Sequence, residues 1–264
     1  MKERIEMVEL LKSIESRSVK GEIVLWWLGG SSWVMKTPEA LLYVDLFTGP
    51  APKETLMPLT KNYADLISPV EISQVDLVLS THEHIDHCHR ESLLPIYHNT
   101  RAVFVGGPSS TKCFRSWGFD EKRIVELQPY QRYQQSGVEI IALPSKDCVD
   151  PGAVSYLIQT GDIAIFDGGD SLYFDGFKEI GQKYEVDIAL LNFFKNPPEM
   201  TLSMTPPEVA QAARDLRAKI LVPKHWNIWT ELQDDPGKVK EYLEESPIQV
   251  KILSIGQELV FAKR

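Results

Sequence analysis

The chain has 264 residues, 43 % of them hydrophobic and 25 % charged, which is enough apolar material for one sizeable core. Its formal net charge of −9 at pH 7 disfavours long nucleic acid as a partner, because broad capture of DNA or RNA needs clustered Lys and Arg; a local basic pocket for one phosphate is still allowed. No apolar run approaches the ~20 residues of a membrane span, and three cysteines, Cys88, Cys113 and Cys148, form no evident disulfide framework, so a cytoplasmic, reducing location is expected.

The opening stretch MKERIEMVELLKSIESRS lacks the character of a signal peptide. Ile5, Val8, Leu10, Leu11 and Ile14 are spaced for one face of a helix. EIVLWWLGGSSWVMKT reads as a strand, a Gly-Gly turn and a second strand, and EALLYVDLFTGP as a third that closes on Asp45. Trp26 and Trp27 are expected in the core and at its edge. Residues 51–73 are irregular and interrupted by prolines, so they read as a long surface loop with one short helix; loops of this length often serve as lids.

VDLVLSTH is a buried strand, because Val75, Leu77, Val78 and Leu79 are nearly continuous. A helix over 90–98 follows, then the strand RAVFVGG and a helix in PSSTKCFRSWGF, capped by Ser109 and Ser110. Next come the strands RIVELQ, QRYQQSG, VEIIALPS, AVSYLIQTG and IAIFDGGDS. The helix FDGFKEIGQKY, the strand VDIALLNFF, the helix TPPEVAQAARDLRA and the strand KILVPKHW alternate after that. A helix in DPGKVKEYLEE and the strands QVKILS and ELVFAKR complete the chain. Strands come in two blocks, each followed by helices. This predicts an α/β fold of two sheets face to face with helices outside, in one domain over 1–264.

Four of the six histidines fall in STHEHIDHCH. Buried imidazoles need partners, and His82, His84, Asp86 and His87 form a His-x-His-x-Asp-His pattern just past a buried strand. In extended chain His82 and His84 point the same way. Asp86 and His87 turn toward a second position once the chain coils. One segment can thus serve two adjacent metal ions. Each half is incomplete alone, since a catalytic metal takes about three protein ligands, so further His or carboxylate residues are expected at distant strand ends. Asp170 after Ile163 to Phe166, His225 after Ile220 to Val222, Asp147 after Leu143 and Asp45 at the end of LLYVD all qualify. His89 reads as a helix-start or rim residue, His98 as surface or packing, and Cys88 and Cys113 as small buried hydrophobes.

These residues resemble the metallo-β-lactamase superfamily: the four-residue pattern, the Gly-Asp at 169–170 and the Pro-x-His at 223–225 occur in that family's order. VLWWLGGSSWVMK, GGDSLYF, NPPEMTLSMT and PKHWNIW are similar to the L-ascorbate-6-phosphate lactonase branch, over roughly residues 23–235. The resemblance implies an αββα sandwich with two mixed sheets and a dimetal site at one sheet edge. It implies that His82 and His84 bind a first metal, that Asp86, His87 and His225 bind a second, that Asp170 bridges them, and that Asp45 orients a ligand histidine from behind.

Most of the superfamily has histidine where this chain has Asp147, and the lactonase branch resembles this chain in having Asp there. Asp147 either completes the first site or forms a loop Asx turn. A carboxylate in that place favours Mn over Zn, with one or two ions per chain. The loop 51–73 departs from the family's longer insertion.

The expected activity is metal-dependent hydrolysis: metals lower the pKa of water, the hydroxide attacks a carbonyl or phosphoryl centre, and Asp86 and Asp170 are the catalytic carboxylates. No Gly-x-Ser-x-Gly elbow points to a serine nucleophile. The lactonase branch implies a small anionic substrate, a phosphorylated sugar lactone. Lys224, Asn196, Lys195, Asn227 and Lys146 are anion contacts or solvated rim residues, with Asn196 and Lys224 as the preferred substrate-binding pair. A phosphodiesterase or nuclease on the same scaffold is the alternative, a non-catalytic metal-binding scaffold is a third reading, and homo-oligomer formation is left open.

Overall fold

A computed structural model describes residues 2–50 and 58–263, with side chains from residue 9 onward. Helix α1 (Lys2–Ser16) lays Leu11 and Ile14 onto the core; the side chains of Ile5 and Val8 lie outside the described residues. An antiparallel meander follows: β1 (Ile23–Gly29), β2 (Ser32–Lys36) and β3 (Leu41–Val44). Trp26 and Trp27 are neighbours on β1 and so face opposite sides of the sheet. Trp26 joins the helix-side cluster and Trp27 the cluster between the sheets.

Residues 51–57, part of the expected lid, lie outside the described residues. The segment after them is irregular, with an isolated bridge between Lys61 and Trp229 and a short 3-10 turn at Pro69–Glu71. It is tied down near residue 225: Asn62 N donates to Ile228 O and Thr230 N to Thr60 O, both at 2.9 Å.

The chain then builds parallel additions to the first sheet: β4 (Leu77–Ser80), α2 (Arg90–Asn99), β5 (Val103–Gly106), α3 (Pro108–Ser116) and β6 (Ile124–Glu126). Helix α3 corrects one expectation. Gly107 is its N-cap and Pro108 takes the first turn, so Ser109 and Ser110 lie inside the helix. Ser110 instead donates to Ser80 O at 3.2 Å.

The second sheet begins with antiparallel β7 (Arg132–Gln135), β8 (Val138–Pro144), β9 (Val154–Thr160) and β10 (Ile163–Asp167). It continues in parallel through α4 (Gly176–Lys183), β11 (Ile188–Asn192), α5 (Pro206–Asp215), β12 (Ile220–Lys224), α6 (Gly237–Glu241) and β13 (Gln249–Val250). The last strand, β14 (Glu258–Phe261), returns to the first sheet and pairs with β1. Both sheets have seven strands, in the orders β14-β1-β2-β3-β4-β5-β6 and β13-β12-β11-β10-β9-β8-β7.

Three apolar layers hold this together. One lies between the sheets, with Leu25, Trp27, Leu79, Ile140, Ile165 and Val222. One lies under α4 to α6, with Phe166, Phe177, Leu191 and Leu221. The third lies under α1 to α3, with Val24, Tyr43, Leu93 and Phe104. This is the expected αββα sandwich. Among the described residues no helix is long and apolar enough to cross a membrane.

Candidate metal centre

The site forms where β3, β4, β10 and β12 end at one edge of the sandwich. Asp45 follows β3 in the left-handed region (φ 47°), which Asp tolerates better than most residues. The side chain is fully buried. Its Oδ1 accepts Thr81 N and its Oδ2 accepts the Thr81 hydroxyl, each at 2.8 Å. Oδ2 also lies 2.8 Å from His87 Nδ1. A carboxylate can only accept, so Nδ1 carries a proton and Nε2 is the His87 nitrogen open to a cation. The Thr81 hydroxyl proton is committed to Asp45, so its oxygen accepts from His82 Nδ1 at 3.0 Å. Asp45 therefore sets the tautomer of both histidines, one directly and one through Thr81. Sequence reasoning found Asp45 and missed Thr81, which carries no pattern of its own.

Beyond Ser80 the chain bends through Thr81–His84 rather than continuing extended, and then turns: His87 N and Cys88 N both donate to His84 O. His82 Nε2 and His84 Nδ1 approach to 2.8 Å. Asp147 Oδ2 lies 3.9 Å from His82 Nε2. Asp147 Oδ1 accepts Val149 N and Asp150 N at 2.7 Å, so one oxygen makes the Asx turn while the other faces the histidines. Asp150 holds the same loop, accepting Gly152 N and Glu83 N.

On the other side His87 Nε2 is 3.2 Å from Asp170 Oδ2 and 3.3 Å from His225 Nε2. His225 Nε2 is also 3.3 Å from Asp86 Oδ2 and 3.4 Å from Asp170 Oδ2. His225 has a positive φ of 71°, which turns it out of β12, and its N–H is anchored on Gly30 O. Phe194 lies against its ring, 4.9 Å between centroids.

Three donor triplets thus form, each with its own atoms within 4.8 Å of one another: His82, His84 and Asp147; Asp86, His87 and His225; and His82, His87 and Asp170. Asp170 Oδ1 is buried without a hydrogen-bond partner among the described residues, which costs stability unless something meets it. Nitrogen and carboxylate donors in this mixture suit a divalent cation, and a cation between them would satisfy the converging lone pairs.

The electrostatics follow from this crowding. Burial pulls the His87 pKa down, but the carboxylates of Asp170, Asp45 and Asp86 outweigh it and hold the imidazole well above its usual value. His82 moves the opposite way, driven down by burial and then by the charge of His87. Burial pushes the Asp86 and Asp170 carboxyls up, yet His87 and His225 beside them outweigh it and leave both below the usual carboxylate range.

Two expected substrate contacts are corrected. Lys224 has no exposed surface; its ammonium meets Asp167 Oδ1 at 2.6 Å inside the fold. The strand runs on to Lys224, two residues past the expected end at Val222, so alternation turns this side chain inward. Asn196 has spent its amide on its own loop, accepting Leu202 N and Ser203 N and donating to Ser203 O. Asn227 accepts Gly30 N at 3.3 Å. Lys146 and Lys195 are exposed. His89 is the N-cap residue of α2, with Nδ1 on Ser92 Oγ.

A family model described as Beta-lactamase superfamily domain matches residues 52–226, a span that holds every candidate ligand from His82 to His225. The protein of Escherichia coli O45:K1 named "Probable L-ascorbate-6-phosphate lactonase UlaG" is 25 % identical over 284 aligned residues, covering 92 % of this chain and 80 % of its own. Among solved structures, Igni18, a metallo hydrolase from the archaeon Ignicoccus hospitalis, superposes with a TM-score of 0.74 at 20 % identity, over 92 % of this chain and all of that one. The isothiocyanate hydrolase from Delia radicum gut bacteria gives 0.73 at 15 % identity, over 90 % of this chain and 99 % of that one. These two likenesses speak to the fold.

Proposed function

The chain belongs to the β-lactamase superfamily, and on that premise we propose that it is a metal-dependent hydrolase that opens the ring of a phosphorylated sugar lactone. The observation that carries the reading is the formation of three donor triplets, each with its atoms within 4.8 Å of one another, from residues that follow four different strands. In this reading His82, His84 and Asp147 hold one cation, Asp86, His87 and His225 hold a second, and Asp170 lies between them. Mn or Zn is the metal, with the Asp147 carboxylate favouring Mn. A divalent cation there supplies a Lewis acid that activates water at neutral pH.

The protein's own groups do the rest. Asp45 and Thr81 accept the Nδ1 protons of His87 and His82 and so leave Nε2 as the atom each ring offers to a cation. Asp86, held ionised by its histidine neighbours, orients the attacking water and accepts its proton. Asp170 fixes the spacing of the two donor groups. Phe194 packs on His225 and limits water on that side. The phosphoryl group of the substrate finds the exposed ammonium groups of Lys146, one residue before Asp147, and Lys195, one residue after Phe194. The similarity to the E. coli protein, whose name specifies the lactone, supports this choice over a phosphodiester. A cytoplasmic location belongs to the same reading, supported by three free thiols.

A pH-stat assay tests it, with sugar-6-phosphate lactones against bis-p-nitrophenyl phosphate, each with Mn²⁺ and with Zn²⁺. Lactone opening that His84→Ala and Asp170→Ala abolish, with both variants folded and depleted of metal, is the expected result. Turnover of the phosphodiester alone would move the assignment to the phosphodiesterase alternative. Full activity in either variant would refute the site.

A further inference from the structure

Beneath the donor groups lies a buried polar row that none of the chemistry above uses. Asp167, Asn192 and Lys224 end the parallel strands β10, β11 and β12. Ile165, Leu190 and Val222, two residues earlier on each strand, belong to the layer between the sheets. By alternation the three polar side chains face that layer too. All three residues have no exposed surface. Strand β11 separates β10 from β12, so the two outer strands lie about 10 Å apart. The Lys224 side chain crosses β11 to put its ammonium 2.6 Å from Asp167 Oδ1. The same oxygen accepts Gly169 N at 2.9 Å.

The connections upward are short. Gly169 directly precedes Asp170, and its positive φ of 56° makes the turn that lifts Asp170 out of the strand. Lys224 directly precedes His225. One carboxylate oxygen thus joins the base of the Asp170 turn to the base of His225. These two ligand candidates come from strands that do not touch each other. A shift of one strand end against the other would separate Asp170 Oδ2 from His225 Nε2, now 3.4 Å apart.

We propose that the Asp167–Lys224 pair is a positioning device for the metal centre, a strap across β11 that fixes Asp170 relative to His225. It acts through those two residues and touches neither substrate nor metal. The inference rests on the reading that Asp170 and His225 hold a cation, and the experiment separates the two.

Lys224→Met alone leaves a buried carboxylate uncompensated, so the test uses the neutral pair Asp167→Asn/Lys224→Met, because replacing both partners of a buried ion pair is often tolerated. The control is Asp187→Asn. Asp187 is buried at the opposite end of the same strands, where it accepts the Lys219 ammonium at 2.7 Å and Ala164 N at 2.9 Å. Metal affinity of the folded proteins is measured with Mn²⁺ and Zn²⁺ by chelator competition, alongside thermal unfolding.

Loss of a supporting partner behind metal ligands typically costs about 10- to 100-fold in affinity. The expected result is a loss of that size in the strap variant. In Asp187→Asn the melting temperature falls while affinity stays within about twofold of the parent, far below the loss expected of a supporting partner. A strap variant that binds metal as tightly as the parent, or a control that loses affinity in proportion to its melting temperature, overturns the strap. A parent protein that binds neither metal overturns the functional reading on which it rests.

Discussion

Asp45→Asn is the sharpest perturbation of the centre, because it changes one atom and reverses two tautomers. The backbone donor Thr81 N is fixed 2.8 Å from Oδ1, so the asparagine must keep its carbonyl oxygen there. Its NH₂ then occupies the Oδ2 position and donates to both Thr81 Oγ1 and His87 Nδ1, which sit 2.8 Å away. His87 Nδ1 becomes an acceptor and its proton moves to Nε2, the atom that faces Asp170 and His225. The Thr81 hydroxyl, released from Asp45, turns to donate to His82 Nδ1 and places the His82 proton on Nε2 as well. Both donor groups lose a lone pair through one substitution. A supporting partner of a metal-binding histidine is worth about 10- to 100-fold in affinity, or roughly 1.4–2.8 kcal/mol per site at tenfold per 1.4 kcal/mol.

Asp45→Ala separates this reasoning from simple loss of support. Alanine leaves the buried Thr81 N–H unpaired, a penalty of about 1–3 kcal/mol, and the left-handed backbone costs it roughly 1–2 kcal/mol more. It imposes no tautomer, however. The alanine variant should therefore be the less stable of the two and the asparagine variant the weaker metal binder. Urea unfolding of the metal-free proteins and competition against a chromophoric chelator measure the two orders. An asparagine variant that binds metal as well as the parent, or better than the alanine variant, refutes the tautomer argument.

Metal binding must also displace the proton that the carboxylates hold on His87 above its usual pKa. An unbuffered titration near pH 7 should release protons, and affinity should keep rising with pH beyond about 6.5, the ordinary histidine value; release of none would remove His87 from the ligand set. In the metal-free protein that charged imidazole contributes stability in full below its unfolded value, and the contribution is lost as pH rises through the elevated folded value. A saturating metal at a thousand times its Kd should then raise stability by about 4 kcal/mol, reversed by chelator, and an unmoved melting temperature would contradict a specific site. Asp147→His should keep binding and shift preference from Mn²⁺ toward Zn²⁺; unchanged selectivity would leave Asp147 only its Asx turn. Gly181→Ala tests the outer layer instead: a methyl there would sit 2.1 Å from Asp215 O, so crowding α4 against α5 should cost about 1–3 kcal/mol with metal affinity untouched, and a variant of parental stability would deny that contact.

The pattern at 82–87 was legible because its spacing is local and its chemistry is unusual for so histidine-poor a chain. The partner positions were legible because strand ends could be placed to within a residue or two. That residual error is also what misled. With the last apolar positions of β10 and β12 taken as Phe166 and Val222, Asp167 went unremarked and Lys224 read as a candidate anion contact or rim residue beside His225. Each strand runs on far enough to include them, and period-two alternation turns both inward. The return of β14 to the first sheet was equally hidden, since pairing such as Ile23 with Phe261 joins chain ends that share no local signal. Asn196 misled for a related reason: a loop amide can serve its own backbone, and only the fold reveals that it does.

The charge at this sheet edge gives the fold and the proposed chemistry a common cause. Asp45, Asp86, Asp147, Asp167 and Asp170 bring five carboxylates together with side chains at most 12 % exposed. One buried ammonium, Lys224, faces them; Asp167, Asp45 and Asp170 outweigh its burial and raise its pKa. Buried charge on this scale demands compensation. Imidazole protons supply some of it at His87, but the same proton suppresses a second one on His82, whose ring centroid is 4.0 Å away. Protonation is therefore self-limiting in this cluster, because each charged ring opposes the next. A multivalent cation escapes that limit by placing its charge between the rings and the carboxylates at once. The strands hold these carboxylates where they repel one another, and that arrangement is the physical ground for expecting a metal at this edge.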